Sequence, residues 1–255
     1  MRGKLSVVIP TKNNEDIIRR CLESVKWADE IVIVDGYSTD RTLEIAKEYN
    51  AKIVQNKFDG NFDKERNLGT DNSTGDWILQ LDSDEVVTPG MRQSVDSILC
   101  GNDGGHAAFK FKRKNYFLGH PMRYGGWYHD SLHFFRRGRA RYRGIIHETL
   151  IVDGSIGAIN ADVEHYPFQS IAQFIERHDG YSAREAKGML GQKGRAGERE
   201  LRYNLTVKPL KLFWKFYVKK MGFREGIYGL IFSVLYAWVH FLNWAKYWEK
   251  AGYRE

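Results

Sequence analysis

Cysteine is scarce in this 255-residue chain. Cys21 and Cys100 stand alone, at a spacing that builds neither a disulfide framework nor a metal-ligand cluster. Two isolated thiols suit a reducing compartment. The chain also lacks a signal-peptide core: the apolar run within Met1–Pro10 is about six residues long and ends in Pro10-Thr11-Lys12, not at small residues. The expected location is therefore the cytoplasm. No internal repeat and no recognisable nucleic-acid module is present, in spite of a net charge of +7. A hydrophobic content of 42% excludes a disordered chain.

The charge that is present is unevenly placed. Residues 1–105 carry 13 Lys/Arg against 19 Asp/Glu, whereas residues 106–255 carry 26 against 13. An acidic first part that holds a cation and a basic second part that faces an anionic partner would divide the work this way. The length suits one large domain or one domain with an appendage. The texture places the cut after residue 168, giving a ligand-binding and catalytic region at 1–168 and a helical region at 169–255.

In the first part, short Ile/Val-rich runs alternate with helical patterns. Leu5–Pro10, Glu30–Asp35, Lys52–Gln55 and Asp76–Leu81 read as strands, and Glu15–Lys26, Thr39–Tyr49 and Asp63–Asn72 as helices. Ile17, Ile18, Cys21, Leu22 and Val25 form one apolar stripe on the first helix. This alternation predicts an α/β fold with a doubly wound, mostly parallel sheet. From about His106 the runs Ala107–Tyr116, Leu132–Arg136, Ala140–Ile146 and Thr149–Val152 read as strands without helices between them, an antiparallel extension of the sheet. Gln169–Leu190 reads as a helix, followed by a polar loop over Gly188–Glu200.

The sharpest chemical signal is Asp82-Ser83-Asp84-Glu85, directly after the apolar run Ile78–Leu81. It puts carboxylates at the carboxyl edge of a sheet, where open α/β folds bind ligands. Three acids in four residues repel one another, and a hard divalent cation, Mg²⁺ or Mn²⁺, keeps them ionised. The competing explanation is a helix N-terminus enriched in acids ahead of Pro89. Asp35 ends the second strand, too far from the next helix to be a cap, so a ligand contact is expected there. Ser38, Thr39 and Asp40 behind it are good N-cap residues. Arg66 on the third helix either contacts a diphosphate or is a solvated helical arginine.

Val8-Ile9-Pro10-Thr11-Lys12-Asn13-Asn14-Glu15, Val34-Asp35-Gly36-Tyr37-Ser38-Thr39-Asp40, Arg66-Asn67-Leu68-Gly69 and Leu81-Asp82-Ser83-Asp84-Glu85 follow one another at the spacing seen in family 2 glycosyltransferases of the GT-A fold, which the chain resembles. Asn115–Gly126 with Gly125-Gly126-Trp127-Tyr128-His129-Asp130, Phe134-Phe135-Arg136-Arg137-Gly138, Ile146-His147-Glu148-Thr149 and Lys208-Pro209 resemble the lipopolysaccharide-core β-glucosyltransferase branch. The chain departs from it at His129, where proline is commoner, and around Gly188–Glu200. The resemblance implies a nucleotide-diphosphate sugar donor, most naturally a UDP-sugar, with its base near Pro10, Thr11 and Asp35. It further implies a metal on Asp84 with Asp82, and inversion at the anomeric carbon. A carboxylate must then take the acceptor's proton. Asp130 is the first choice, as the one acid between Asp103 and Glu148 in the sequence; Glu148 is the second. His147 either joins the metal ligands or is structural.

Ten Lys/Arg and one acid between Lys110 and Arg143 suit an anionic glycolipid acceptor in cell-envelope synthesis. Pro209–Lys220 reads as a basic aromatic helix and Phe223–Lys250 as a long apolar one. Gly226–Ala245 carries no charge with His240 neutral, close to the ~20 residues that span a bilayer. The interrupting polar residues and the nearby lysines favour a helical hairpin lying on the inner face of the cytoplasmic membrane, or forming a homo-oligomer, over an ordinary core helix and, last, a span. Two rival functions remain open to the residues: a sugar-nucleotide nucleotidyltransferase, and a non-enzymatic basic protein that binds membrane or nucleic acid. The first wants a Gly-rich loop where Thr11-Lys12-Asn13-Asn14 stands.

Overall fold

A computed structural model describes residues 2–57, 62–144 and 149–252. The chain runs β1 (Leu5–Thr11), α1 (Ile18–Val25), β2 (Glu30–Asp35), α2 (Thr42–Glu48), β3 (Lys52–Gln55), α3 (Phe62–Asp71), β4 (Trp77–Gln80), β5 (Glu85–Val87), α4 (Pro89–Leu99), β6 (Ala108–Phe117) and β7 (His120–Pro121). It continues through β8 (His129–Arg136), β9 (Ala140–Arg143), β10 (Thr149–Val152), β11 (Ile156–Phe168), α5 (Ile171–Lys193), α6 (Glu198–Arg202), α7 (Lys208–Trp214) and α8 (Gly226–Lys250). Wide helical turns at Tyr203–Val207 and Lys215–Lys219 flank α7, and a tight turn at Gly222–Glu225 leads into α8.

The main sheet has the order β3-β2-β1-β4-β8-β6-β11-β5, with β7 on β6; β9 and β10 form a separate ribbon. β1, β2, β3 and β4 are parallel, with Ser6–Thr11 opposite Glu30–Asp35 and Leu5–Val8 opposite Trp77–Gln80. β8 joins β4 antiparallel, and β6 joins β8 antiparallel. The α/β architecture with an antiparallel extension is thus the one expected from the sequence. Its parallel strands read as unbroken apolar runs because both faces are covered. Val7, Ile9 and Leu79 pack with Ile18, Cys21 and Leu22 of α1 and Met91 and Val95 of α4. Val8, Val34, Ile78 and Phe135 on the other face pack with Leu68 of α3, Tyr142 and Leu150. Each such fully buried aliphatic side chain contributes about 1.5–3 kcal/mol of transfer free energy. Cys21 is buried and Cys100 exposed, both as free thiols.

The chain divides into two units, residues 1–113 with 129–165, and residues 114–128 with 166–255. The sequence suggested one cut, at 168. Residues 114–128 belong with the C-terminal segment because Phe117, Met122 and Trp127 share a core with Phe168, Phe174 and Phe232. Within the second unit, Glu225 accepts from the backbone amides of Arg123 (2.7 Å) and Tyr124 (2.6 Å) and lies 2.7 Å from His120 Nε2, which ties the 120–125 turn to the start of α8. The polar loop expected over Gly188–Glu200 is shorter. α5, capped by the Ser170 hydroxyl accepting from Gln173 N (3.1 Å), continues to Lys193.

Candidate active site

Pro10, Thr11 and Asp35 lie at the carboxyl ends of β1 and β2, and Asp82 and Asp84 just past that of β4. Thr11 lies opposite Asp35 in the β1–β2 register, and Gly36 N donates to Thr11 O at 2.8 Å. Asp35 is fully buried, and both its carboxylate oxygens accept from Ser38 N (3.2 and 3.1 Å). It thus caps the 35–38 turn and not α2, which begins at Thr42. The turn is closed by Tyr37 in the left-handed region (φ 61°), which brings Ser38 back over the carboxylate. Ser38 and Asp40 tie this turn to the loop after β1: Ser38 Oγ accepts from Asn13 N, and Asp40 accepts from Glu15 N as well as from Thr42 N, while the N-cap position of α2 is Arg41.

Asp82, Asp84 and Glu85 follow β4. α4 begins at Pro89, with Thr88 as its cap (Oγ1 accepting from Met91 N, 3.2 Å), so the acids are not its first turn and the helix-terminus explanation falls. They are instead held by distant cations. Asp82 Oδ1 accepts from Arg66 Nη2 at 2.8 Å, and Oδ2 from Arg113 Nη2 at 2.7 Å. Arg113 Nε pairs with Glu85 Oε1 at 2.7 Å, and Glu85 Oε2 accepts from Asp82 N at 2.8 Å. Arg66 is thus no solvated arginine. It lies against the Tyr142 ring, 5.6 Å from the centroid, and its neighbour Asn67 exchanges two hydrogen bonds with the Tyr142 backbone (2.9 and 3.0 Å). Gly69, one helical turn along, allows this approach. A Cβ there would lie 2.2 Å from Val8 Cγ1 and 2.9 Å from Val34 Cγ2.

His165, to which the sequence reading assigned no role, completes the group. Antiparallel pairing sets it opposite Glu85 on β5, and its Nε2 lies 3.3 Å from Asp84 Oδ1. One ligand atom from each of Asp82, Asp84 and His165 lies within 4.8 Å of the others. Two carboxylate oxygens and an imidazole nitrogen fit a divalent cation that accepts nitrogen as well as oxygen, Mn²⁺ more readily than Mg²⁺. Burial alone would raise all three carboxyls. Arg66 and Arg113 overcome it at Asp82, whose carboxyl is held far below the usual range. His165 overcomes it at Asp84. At Glu85 burial prevails over Arg113 and the carboxyl is pushed up. His133, with Nδ1 2.5 Å from the Tyr142 hydroxyl, is pushed down to about 3 by burial and then by Arg66.

Asp130 is not among these groups. It lies on β8 in an ion pair with Lys112 Nζ (2.6 Å), which holds its carboxyl low. Lys112 pairs with Asp130 and the next residue, Arg113, with His129. Side chains alternate along a strand, so Asp130 projects from the face opposite to Arg113. His147 and Glu148 lie outside the described residues. His165 escaped notice because Gly157 and Pro167 break the alternation that would mark Ile156–Phe168 as a strand; Arg113 was one cation among ten in a basic run.

Residues 6–149 match glycosyl transferase family 2. An uncharacterized glycosyltransferase of Rickettsia typhi is 26% identical over 256 residues, covering 95% of this chain and 86% of its own. The lipopolysaccharide core biosynthesis glycosyltransferase LpsC of Rhizobium meliloti is 25% identical over 260 residues, covering 96% and 92%. Among solved structures, S. aureus TarS 1–349 in complex with UDP-GlcNAc aligns over 99% of this chain and 93% of its own, with 15% identity and a TM-score of 0.49. The family match takes in more than half of the chain, including the strand ends that carry Thr11, Asp35, Asp82 and Asp84, and on that ground this protein belongs to glycosyl transferase family 2 and is a glycosyltransferase.

Proposed function

We propose that the enzyme moves a hexose from a nucleoside-diphosphate sugar to a hydroxyl of a cell-envelope glycolipid, with inversion, and that Asp82, Asp84 and His165 hold a Mn²⁺ or Mg²⁺ ion for the donor's diphosphate. The observation that carries this reading is the convergence of those three side chains beside Arg66 and Arg113. When bound, such an ion neutralises charge on the departing nucleoside diphosphate as a Lewis acid. Pro10, Thr11 and the Asp35 turn form the floor for the nucleoside, with Asp35 holding the Ser38 amide in place. Arg66, oriented by Asp82 and Tyr142, faces the diphosphate with a planar fork. Arg113 fixes the second Asp82 oxygen and keeps Glu85 from repelling it.

The proton of the attacking hydroxyl passes to one of two acids, Asp130 or Glu148. The ion pair with Lys112 lowers the Asp130 carboxyl and so weakens it as a base. Family membership sets aside the nucleotidyltransferase and the non-enzymatic alternatives. The envelope acceptor draws support from the likeness to LpsC, whose name places that protein in lipopolysaccharide core biosynthesis.

The C-terminal helices lay the enzyme against an anionic membrane surface from the cytoplasmic side. Tyr203, Val207, Leu210 and Trp214 form one exposed stripe, with Leu210 72% and Trp214 56% exposed. Ile227, Val234, Phe241 and Trp248 form a second, at intervals of seven along α8. The opposite face of α8 buries Phe232, Trp244 and Tyr247. Gly222–Lys250 is long and apolar enough to cross a bilayer, but a helix packed on one side and apolar on the other lies at an interface. Arg202, Lys211, Lys215 and Lys219 beside the first stripe add attraction to anionic lipid.

The test is titration of the enzyme with UDP in the presence and absence of Mn²⁺. Tight binding should need the metal and be lost in Asp84→Asn and His165→Ala. Metal-independent binding, or unchanged metal dependence in both variants, would remove the proposed site. Asp130→Asn and Glu148→Gln, compared by turnover with donor binding intact, identify the base.

A further inference from the structure

A cavity of about 790 Å³ lies away from the acid cluster, on the outer side of the β9–β10 ribbon. Four arginines line it, Arg137, Arg139, Arg141 and Arg143, against two carboxylates, Asp71 and Asp153. The β9 register explains the crowding. Arg141 and Arg143 alternate with Ala140 and Tyr142 on β9, so their two guanidiniums leave one face at a step of roughly 6.6–6.8 Å, while Tyr142 is buried on the other; Arg139 joins them from the bend just before the strand. Asp71 takes Arg141 (3.0 and 3.2 Å), and Asp153 takes Arg139 (3.5 Å). Arg137 donates through Nε to Gly75 O (2.8 Å), which leaves its terminal nitrogens to the cavity. Neither Arg137 nor Arg143 has a carboxylate partner among the described residues. The lining thus carries two more positive than negative charges in a concave site.

The stripe is also fixed in space. Tyr142, between Arg141 and Arg143, is clamped to Asn67 by two hydrogen bonds, and β9 is paired to β10 along its length. Asn67 adjoins Arg66, which holds Asp82. The inner face of β9 therefore supports the donor side of the reaction while its outer face presents arginine forks at a set distance from it. Planar guanidiniums in such an array match phosphate oxygens bidentately.

We propose that this cavity binds a phosphorylated sugar, the anionic part of the acceptor, at a site separate from the one for the donor diphosphate. Its assignment to the acceptor rests on the transfer reaction proposed above; its affinity for a sugar phosphate does not. The experiment is isothermal titration of the whole chain with fructose 1,6-bisphosphate as the probe, with fructose and inorganic phosphate alongside. The bisphosphate should bind, fructose should not, and phosphate should bind more weakly. Arg141→Gln/Arg143→Gln should weaken the bisphosphate by about tenfold or more, and Arg141→Lys/Arg143→Lys by less, because lysine keeps the charge and loses the fork. UDP binding with Mn²⁺ should match the wild type in both, which also reports that they fold.

Binding of the bisphosphate no tighter than fructose overturns the proposal. So does an equal loss in Lys47→Gln/Arg92→Gln, which removes two positive charges elsewhere. If the wild type ignores the bisphosphate but binds phosphatidylglycerol vesicles through Arg141 and Arg143, the cavity serves a lipid headgroup and the proposal is wrong. Failure of UDP to bind would instead count against the transferase reading, and the bisphosphate titration would still decide this one.

Discussion

Arg113→Leu should be the most damaging single change to stability within the acid cluster. Arg113 bridges Asp82 and Glu85 at 2.7 Å each. Without it Asp82 keeps Arg66, but Glu85, with a side chain only 3% exposed, keeps no cation within the bridge. Stripping one partner from a buried pair costs about 3–5 kcal/mol, because the remaining charge is neither solvated nor compensated. For a chain of this size that corresponds to a fall in Tm of about 10 °C. The loss must depend on pH. Burial already raises the Glu85 carboxyl against the pull of Arg113, and removing the guanidinium raises it further. A carboxyl whose folded pKa lies above its unfolded value destabilises as pH rises past the unfolded value, so the defect should be largest near pH 8 and shrink toward pH 5. Arg113→Leu/Glu85→Leu should recover most of the stability, since it removes both charges and leaves apolar volume. Thermal unfolding of the three variants at pH 5 and pH 8 measures this. A loss under about 1 kcal/mol in the single variant, the scale of an exposed pair, or no recovery in the double, would refute the account of the cluster as a buried ionic network.

His133, pushed down to about 3, makes the fold acid-sensitive: the unfolded chain takes up that proton below about pH 6.5 and the folded chain does not. Stability should therefore fall as pH drops from 6.5 toward 3, by up to about 4 kcal/mol, and His133→Phe should flatten that part of a pH–stability curve. Gly69→Ala should destabilise by about 1–3 kcal/mol and weaken UDP binding, because the new methyl meets Val8 at 2.2 Å and moves α3, and Arg66 with it, off the sheet. Normal binding in a stable Gly69→Ala protein would dissociate Arg66 from the donor. Leu210→Glu/Trp214→Glu should abolish sedimentation with phosphatidylglycerol vesicles while leaving UDP binding intact. If these variants instead convert a dimer to a monomer and vesicle binding persists, the exposed stripe covers a second copy.

The legible parts of this protein are those written in short stretches of chain. Periods of two and 3.6 residues are local consequences of strand and helix geometry. Hence β1 to β4 could be placed from Ile, Val and Leu spacing within a residue, and the helices between them within three. Asp82-Ser83-Asp84-Glu85 could be singled out because like charges so close together need an external reason. The same locality explains the limits. β11 was invisible because Gly157 and Pro167 interrupt its pattern, and its strand character comes from pairing with β5 and β6, not from propensity. The turn that Asp35 closes was not legible because nothing nearby in the sequence signals that Tyr37 turns left-handed and returns Ser38 to it.

His165 follows Asp84 by about eighty residues and Arg113 by about fifty, and neither relation is encoded at any fixed spacing. The antiparallel register that sets His165 against Glu85 is selected by backbone hydrogen bonding along β11 and β5. The positions of Arg66 and Arg113 follow from the cost of burying carboxylates without counter-charges, which rules out folds that leave Asp82 and Glu85 unpaired. Sequence thus names the acids that need a partner. Which partners they obtain depends on the order in which strands lie in the sheet, because only that order carries residues remote in the chain into one low-dielectric site.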